Sequence, residues 1–313
     1  MRSRLHMRPV KGAHYLLVLG LLIGTLSGCM PIVRGAVSPK PTPARTPAPR
    51  PSAATESRAV SQAEPHSVPF MTEVYTSALG QRMTYYLHVP QPYSTQRSYP
   101  LVLLLHGGGE VARASNTPAQ NASVLLSQQY VSIWASATVQ NRWPSFIVVP
   151  QLVAPSRWVN IPADTGSYEL ATNPTEALLL ALDIVTSLQQ EYATINARRI
   201  YLTGLSMGGY GAWEAAERWP YRFAAVAPLA GAGDPALAGN LVNLPVWAFQ
   251  GSDDVVVPIS GSRDMIRAIQ AAGGHPRYTE YPGTGHDIWV RVYSNPTFLA
   301  WLFAQERPPA TVS

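Results

Sequence analysis

The sequence predicts an α/β fold, with a mostly parallel central sheet flanked by helices on both faces. Three observations carry this expectation. From about residue 70 to 307, short apolar runs alternate with helical stretches, the order that a parallel sheet wrapped by helices requires. The runs LVLLL (101–105), FIVV (146–149) and VWAF (246–249) are continuous rather than alternating, as central strands covered on both faces tend to be. Finally, at 204–209 the chain reads GLSMGG, a serine among glycines where an apolar run gives way to a helical stretch.

Taken in order, strands are expected at 71–76, 83–89, 101–106, 146–151, 200–205, 224–229, 245–250 and 277–281. The first clear helix start is Asn173-Pro174-Thr175-Glu176: an N-cap, a proline in the first turn and a capping-box-like acid. That helix should run to about Tyr192. Further helices are expected at 208–218, 262–272 and 296–305. Between Glu110 and Ser145 an amphipathic piece at 122–135 (Val124, Leu125, Leu126, Tyr130, Val131, Ile133, Trp134) reads either as a lid over a pocket or as a surface helix packed on the sheet edge.

Ser206 therefore falls at a strand-to-helix junction. A nucleophile there must sit on a sharp turn that lifts its oxygen above the sheet. Glycines at 204 and 208 suit that turn, because side chains would meet neighbouring backbone. The helix behind supplies free N–H groups and positive partial charge for a developing oxyanion. A serine at its ordinary pKa needs a base and an orienting acid, and in this topology they follow in the order Ser, Asp/Glu, His. After the strand at 245–250 comes Gly251-Ser252-Asp253-Asp254-Val255-Val256-Val257-Pro258. After the strand at 277–281 comes Gly283-Thr284-Gly285-His286-Asp287-Ile288-Trp289. Only His275 and His286 follow Ser206, and His275 sits in the turn Gly273-Gly274-His275-Pro276. His286 is thus the candidate base. A second oxyanion donor is expected from His106-Gly107-Gly108-Gly109-Glu110, after LVLLL. The pair of donors reads as the N–H of Met207 with that of Gly108, or of Gly109. Trp158, Trp289 and Glu110 are candidates for the substrate pocket.

Charge narrows the function classes. The 313 residues carry a formal net charge of +5, but residues 1–69 hold nine Lys/Arg against two acids, and the remainder 14 against 16. A slightly acidic body does not look like a phosphate-backbone binder, so no nucleic-acid partner is expected. No lysine follows Lys40, which removes Ser-Lys dyads, Schiff-base chemistry and a P-loop from the body.

The basic N-terminal segment reads as an address. Arg2, Arg4, Arg8 and Lys11 precede an apolar stretch from Tyr15 to Leu26, too short to span a bilayer and suited to a signal peptide. It ends in Leu26-Ser27-Gly28-Cys29, which resembles the lipobox of bacterial lipoproteins. That resemblance implies cleavage before Cys29, the only cysteine, and lipid on its thiol. Residues 31–69 hold nine prolines and few large apolar side chains. They cannot bury a core and read as an extended tether, which at about 3.1 Å per residue reaches roughly 100 Å. The expected organisation is a signal peptide at 1–28, a tether at 29–69, a catalytic domain at 70–307 and a tail at 308–313. The expected location is outside the cytoplasm, anchored to a bacterial membrane.

The motifs HGGGE, the tryptophan of APSRW, RIYLTGLSMGGYGAW, GSDDVVVP, RYTEYPGTGHDIW and NPTFLAWLFAQ, in this order and spacing, resemble the α/β-hydrolase superfamily. More narrowly, they resemble its phospholipase/carboxylesterase and dienelactone-hydrolase-like group of "predicted peptidase" type, over about 101–305. The resemblance implies an α/β-hydrolase fold, with Ser206 as nucleophile, Asp254 as acid from the D-x-V-V-P pattern, and His286 as base. It implies no metal and no organic cofactor. The family loop more usually reads HGAGE; here glycine stands in place of alanine. The leading expectation is a serine hydrolase of carboxylic esters, on small molecules or polysaccharide. A serine peptidase or amidase with the same three residues is the alternative. A third reading is a non-catalytic envelope lipoprotein on a hydrolase fold, which fluorophosphonate labelling would separate.

Overall fold

The computed structural model describes residues 70–161 and 165–309. The expected signal peptide, Cys29 and the tether lie outside the described residues, as do the last four residues of the expected tail. Among the described residues, eight strands form one sheet: β1 (Met71–Thr76), β2 (Arg82–His88), β3 (Tyr99–Leu105), β4 (Phe146–Gln151), β5 (Ile195–Leu205), β6 (Ala225–Leu229), β7 (Trp247–Gly251) and β8 (Arg277–Tyr281). Their order is β1-β2-β4-β3-β5-β6-β7-β8. The β1–β2 and β2–β4 pairs are antiparallel and the rest parallel, so the expected architecture is the one found.

The continuous apolar runs are explained by two cores, one on each face. In β3, Leu101, Leu103 and Leu105 enter one core, while Val102 and Leu104 enter the other. The first core is closed by α4 (Glu176–Glu191), α5 (Met207–Arg218) and α6 (Ser260–Ala271). The second is closed by α1 (Pro118–Leu126), α2 (Gln129–Ser132), α3 (Ala137–Gln140), α7 (Trp289–Tyr293) and α8 (Pro296–Ala304). With both faces covered, alternation has no solvent side to report.

Three details depart from the expectations. The amphipathic piece at 122–135 is not one helix: α1 ends at Leu126, and α2 begins after a break at Ser127-Gln128. Its Tyr130, Val131 and Trp134 are buried against α7 and α8, which is the packed reading rather than the lid. The cap of α4 is Thr175, not Asn173. The Thr175 hydroxyl accepts the Leu178 N–H and donates to the Trp158 carbonyl, so the helix starts where both bonds can form. β5 starts five residues earlier than expected, because Tyr99 of β3 pairs with Ile195 across a register shift; the exposed Ala197-Arg198 hides this extension from a hydrophobicity reading.

Candidate active site

The site lies at the C-terminal edge of the parallel strands, where open α/β sheets place their ligands. β5 delivers Ser206 into the first turn of α5. Ser206 has φ 54° and ψ −121°, a left-handed conformation that costs a non-glycine residue on the order of 1–3 kcal/mol. The surroundings hold it there: its N–H donates to the Leu229 carbonyl at 2.9 Å, and its side chain makes no capping bond to the helix. The flanking glycines are obligatory. A Cβ at Gly204 would lie 2.2 Å from the Gly208 carbonyl oxygen, and one at Gly208 would lie 2.0 Å from that of Leu105.

The loops after β7 and β8 bring two further side chains to the serine. Ser206 Oγ lies 2.9 Å from His286 Nε2, and His286 Nδ1 lies 2.8 Å from Asp254 Oδ2. The Nδ1–H donates to the carboxylate, which leaves Nε2 as acceptor for the serine hydroxyl. Asp254 is itself fixed. Its Oδ1 accepts the Val256 and Val257 N–H groups, both at 2.9 Å, and its Oδ2 accepts the Gln250 amide at 3.1 Å. Burial pushes the Asp254 carboxyl up, but the His286 bond and the two backbone N–H groups outweigh it and hold the pKa below the ordinary value. Asp253 has another arrangement: it is exposed and accepts the Ser252 hydroxyl at 2.6 Å.

The loop after β3 is set by side chains. The Leu152 N–H donates to His106 Nε2 at 3.0 Å, so the neutral ring carries its proton on Nδ1, which faces the Gly107 carbonyl at 2.7 Å. Complete burial lowers the His106 pKa to about 4, so the ring stays neutral in neutral solution. In a trans peptide the N–H points opposite to the C=O. With the Gly107 carbonyl turned to His106, the Gly108 N–H projects the other way. Met207, at the first position of α5, has an N–H that no intrahelical carbonyl can take.

The three pocket candidates separate. Trp289 is half-buried and stands edge-on to His286, ring centroids 5.2 Å apart. Glu110 is half-buried on the loop after β3. Trp158 corrects its expectation: it is fully buried in the core, and its indole N–H donates to the His106 carbonyl at 3.0 Å. It supports the loop from beneath and lines no open surface.

Sequence reasoning missed two glutamines. Gln151 ends β4 and Gln250 is the last residue but one of β7, both buried. Gln151 donates to the Glu110 carbonyl at 2.9 Å and to the Asn121 carbonyl at 2.8 Å, and accepts the Tyr86 hydroxyl at 2.8 Å. Gln250 donates to Asp254 and to the Val257 carbonyl and accepts the Ser262 hydroxyl. The available signal was an amide closing an apolar strand run, since a buried amide must be bonded to something.

A family model named Esterase, with the description "Putative esterase", matches residues 76–270. The chain is similar to a solved thermostable esterase, with 34% identity over 76% of this chain and 64% of that one, and a TM-score of 0.67. It therefore spans less than two thirds of that esterase's length. It is also similar to a feruloyl esterase module from Clostridium thermocellum (17% identity, 76% of this chain and 89% of that one, TM-score 0.55). An acylaminoacyl peptidase from Pyrococcus horikoshii is similar too (13% identity, 77% and 42%, TM-score 0.56). The last two likenesses are ones of fold, and the fold is that of the α/β-hydrolases. No curated protein sequence matches the chain.

Proposed function

The chain belongs to the Esterase family, and from that premise we propose that it is a serine hydrolase of carboxylic esters, with Ser206 as nucleophile, His286 as base and Asp254 as orienting acid. The single observation that carries this reading is the unbroken relay from Ser206 Oγ through His286 to Asp254. His286 Nε2 takes the serine proton as Oγ attacks the ester carbonyl carbon. The ionised Asp254 stabilises the imidazolium and keeps its proton on Nδ1. The tetrahedral oxyanion is received by the N–H groups of Met207 and Gly108. His286 then returns its proton to the departing alcohol, leaving an acyl group on Ser206. Water, deprotonated by the same imidazole, releases the acid and restores the serine. The test is hydrolysis of p-nitrophenyl acetate and butyrate by the wild type and by Ser206→Ala. Turnover that is present in the first and lost by several orders of magnitude in the second supports the reading; equal turnover refutes it.

The same proposal extends to location. Cys29, in Leu26-Ser27-Gly28-Cys29, is the mature N-terminus and carries lipid, which holds the domain outside the cytoplasm at a membrane surface. Two signals support it: the lipobox-like end of the apolar stretch and the proline-rich segment behind. Cys29→Ser should move the protein from the membrane to the soluble fraction; a native protein already soluble and cleaved elsewhere contradicts it.

A further inference from the structure

Two consecutive peptides decide where the Gly108 N–H points. In the first, between His106 and Gly107, the carbonyl is held by the Trp158 indole N–H at 3.0 Å. In the second, between Gly107 and Gly108, the carbonyl is held by His106 Nδ1 at 2.7 Å. Of the two N–H groups, that of Gly108 is the proposed oxyanion donor. The other, on Gly107, faces the Glu110 carboxyl and the Tyr130 hydroxyl. Tyr130 is almost completely buried on α2, and α2 packs against α7 through Tyr130 and Trp289, whose ring also meets His286.

Glu110 Oε2 and the nucleophile border the same glycine: a Cβ on Gly107 would lie 3.2 Å from Glu110 Oε2 and 3.6 Å from Ser206 Cβ. Glu110 Oε2 and the Tyr130 hydroxyl are both buried, and among the described residues neither has a partner in full hydrogen-bonding geometry. Buried polar atoms left open are costly, and bonds that serve a reaction are often long at rest and tighten in the complex. The Glu110 backbone is anchored independently by Gln151, so its side chain is spared for another task.

We propose that Glu110 is a positioning residue for the oxyanion donor: with Tyr130 behind it, its carboxyl clamps the Gly107 N–H and so fixes the peptide from which the Gly108 N–H projects. Three of the four polar groups of these two peptides are then committed to Trp158, His106 and Glu110, and the fourth is left for the substrate oxygen. Burial raises the Glu110 pKa, opposed in part by Tyr130 and by the Glu110 and Gly107 N–H groups. Burial also pushes the Tyr130 hydroxyl far above its ordinary value, so it remains a donor. The assignment rests on the esterase reading, because a positioned donor has meaning only where an oxyanion forms.

The test uses Glu110→Ala, Glu110→Gln and Tyr130→Phe in the full chain, with kcat and KM for p-nitrophenyl butyrate, the Ki of a trifluoromethyl ketone and the melting temperature. The ketone is the sharp probe, because its serine adduct places an oxyanion in the hole. A fully lost donor costs about 10²–10³ in kcat, so a misplaced one in Glu110→Ala should cost about 10–100-fold. KM should stay within about twofold, because ground-state binding is untouched. The Ki should rise in parallel with the loss of kcat. Glu110→Gln keeps an acceptor oxygen and should retain kcat within about threefold. Tyr130→Phe keeps the ring and should lose severalfold in kcat; it carries the test if Glu110→Ala does not fold. Wild-type kcat and Ki in both Glu110→Ala and Tyr130→Phe would overturn the assignment. So would a rise in KM alone, or equal losses in the Ala and Gln variants accompanied by equal drops in melting temperature. If Ser206→Ala still turns over ester, it is the esterase reading that fails; if Ser206→Ala is inert and Glu110→Ala is normal, only the clamp fails.

Discussion

Gln250 and Asp254 are joined by a 3.1 Å hydrogen bond from the glutamine amide to Asp254 Oδ2, the same oxygen that meets His286 Nδ1. The acid is thus held by three N–H groups besides the histidine, two of them backbone. A carboxylate supported this way stays ionised, and it is the ionised form that orients the imidazole.

The first prediction follows. Asp254→Asn should lower kcat on the order of 10⁴, by favouring the wrong tautomer of His286. Asp253→Asn, in the same loop but turned to Ser252, should lose less than about tenfold, since it touches none of the reacting groups. Steady-state kinetics on p-nitrophenyl butyrate decide. Equal losses, or the reverse order, contradict the assignment.

A second prediction concerns the tryptophan beneath the oxyanion loop. Trp158→Phe keeps most of the bulk against α5 but removes the donor to the His106 carbonyl. The loop should lose definition more than the core loses packing. An expected fall of about tenfold or more in kcat, with KM little changed, is the mark of a transition-state effect. A change confined to melting temperature would assign Trp158 to packing alone.

A third prediction lies away from the site. Glu217 is buried; its Oε1 accepts the Asp234 N–H at 2.9 Å, while its Oε2 and the nearby Tyr168 hydroxyl have no hydrogen-bond partner among the described residues. Burial pushes the Glu217 pKa well up, and Asp234 and Glu214 add to it, while the Asp234 N–H and Arg218 oppose. An acid whose folded pKa exceeds its unfolded one contributes fully below the unfolded value and loses that contribution as pH rises through the folded one. Wild-type stability should therefore fall on the alkaline side relative to Glu217→Gln, which keeps an acceptor for the Asp234 N–H. Urea midpoints compared at about pH 5 and pH 9 should show the Gln variant gaining on the wild type with pH. A constant or shrinking difference would contradict this.

A fourth prediction separates esters from amides. An ester expels an alkoxide or phenoxide that needs little help, whereas an amide nitrogen must be protonated by His286 in a well-aligned complex. The loops after β3, β7 and β8 hold acids and aromatics but no cluster of Lys or Arg to anchor a peptide terminus. Thus kcat/KM for p-nitrophenyl acetate and butyrate should exceed that for matched peptide p-nitroanilides by orders of magnitude. Comparable values would favour the peptidase reading.

Much of this was legible in the sequence, for reasons that are local. Ser206 between Gly204 and Gly208 declares a tight turn, because backbone lies within 2.2 Å of where each Cβ would be. His286 was legible because the expected chain order and a strand before it leave few candidates; the same order reached the loop that holds Asp253 and Asp254, and the resemblance to the D-x-V-V-P pattern chose Asp254. What stayed hidden depends on residues far apart. Trp158 bonds a carbonyl 52 positions away and Gln151 one 41 away, and no periodicity reports such pairs. Tyr130 looked like an ordinary apolar-face residue; only its packing with Trp289 beside the oxyanion loop gives its hydroxyl a setting. The break between α1 and α2 was also invisible, because Ser127 and Gln128 are acceptable within a helix and tertiary packing decides.

The central claim is that Ser206 forms an acyl-enzyme. It is tested most directly by quenching the enzyme during turnover of p-nitrophenyl butyrate and finding, by mass spectrometry, where the acyl group sits. The account predicts one butyryl group, on the peptide that contains Ser206, absent from Ser206→Ala and accumulating when deacylation is slowed. Turnover that proceeds with Ser206 unmodified, or with the acyl group on another residue, would contradict it.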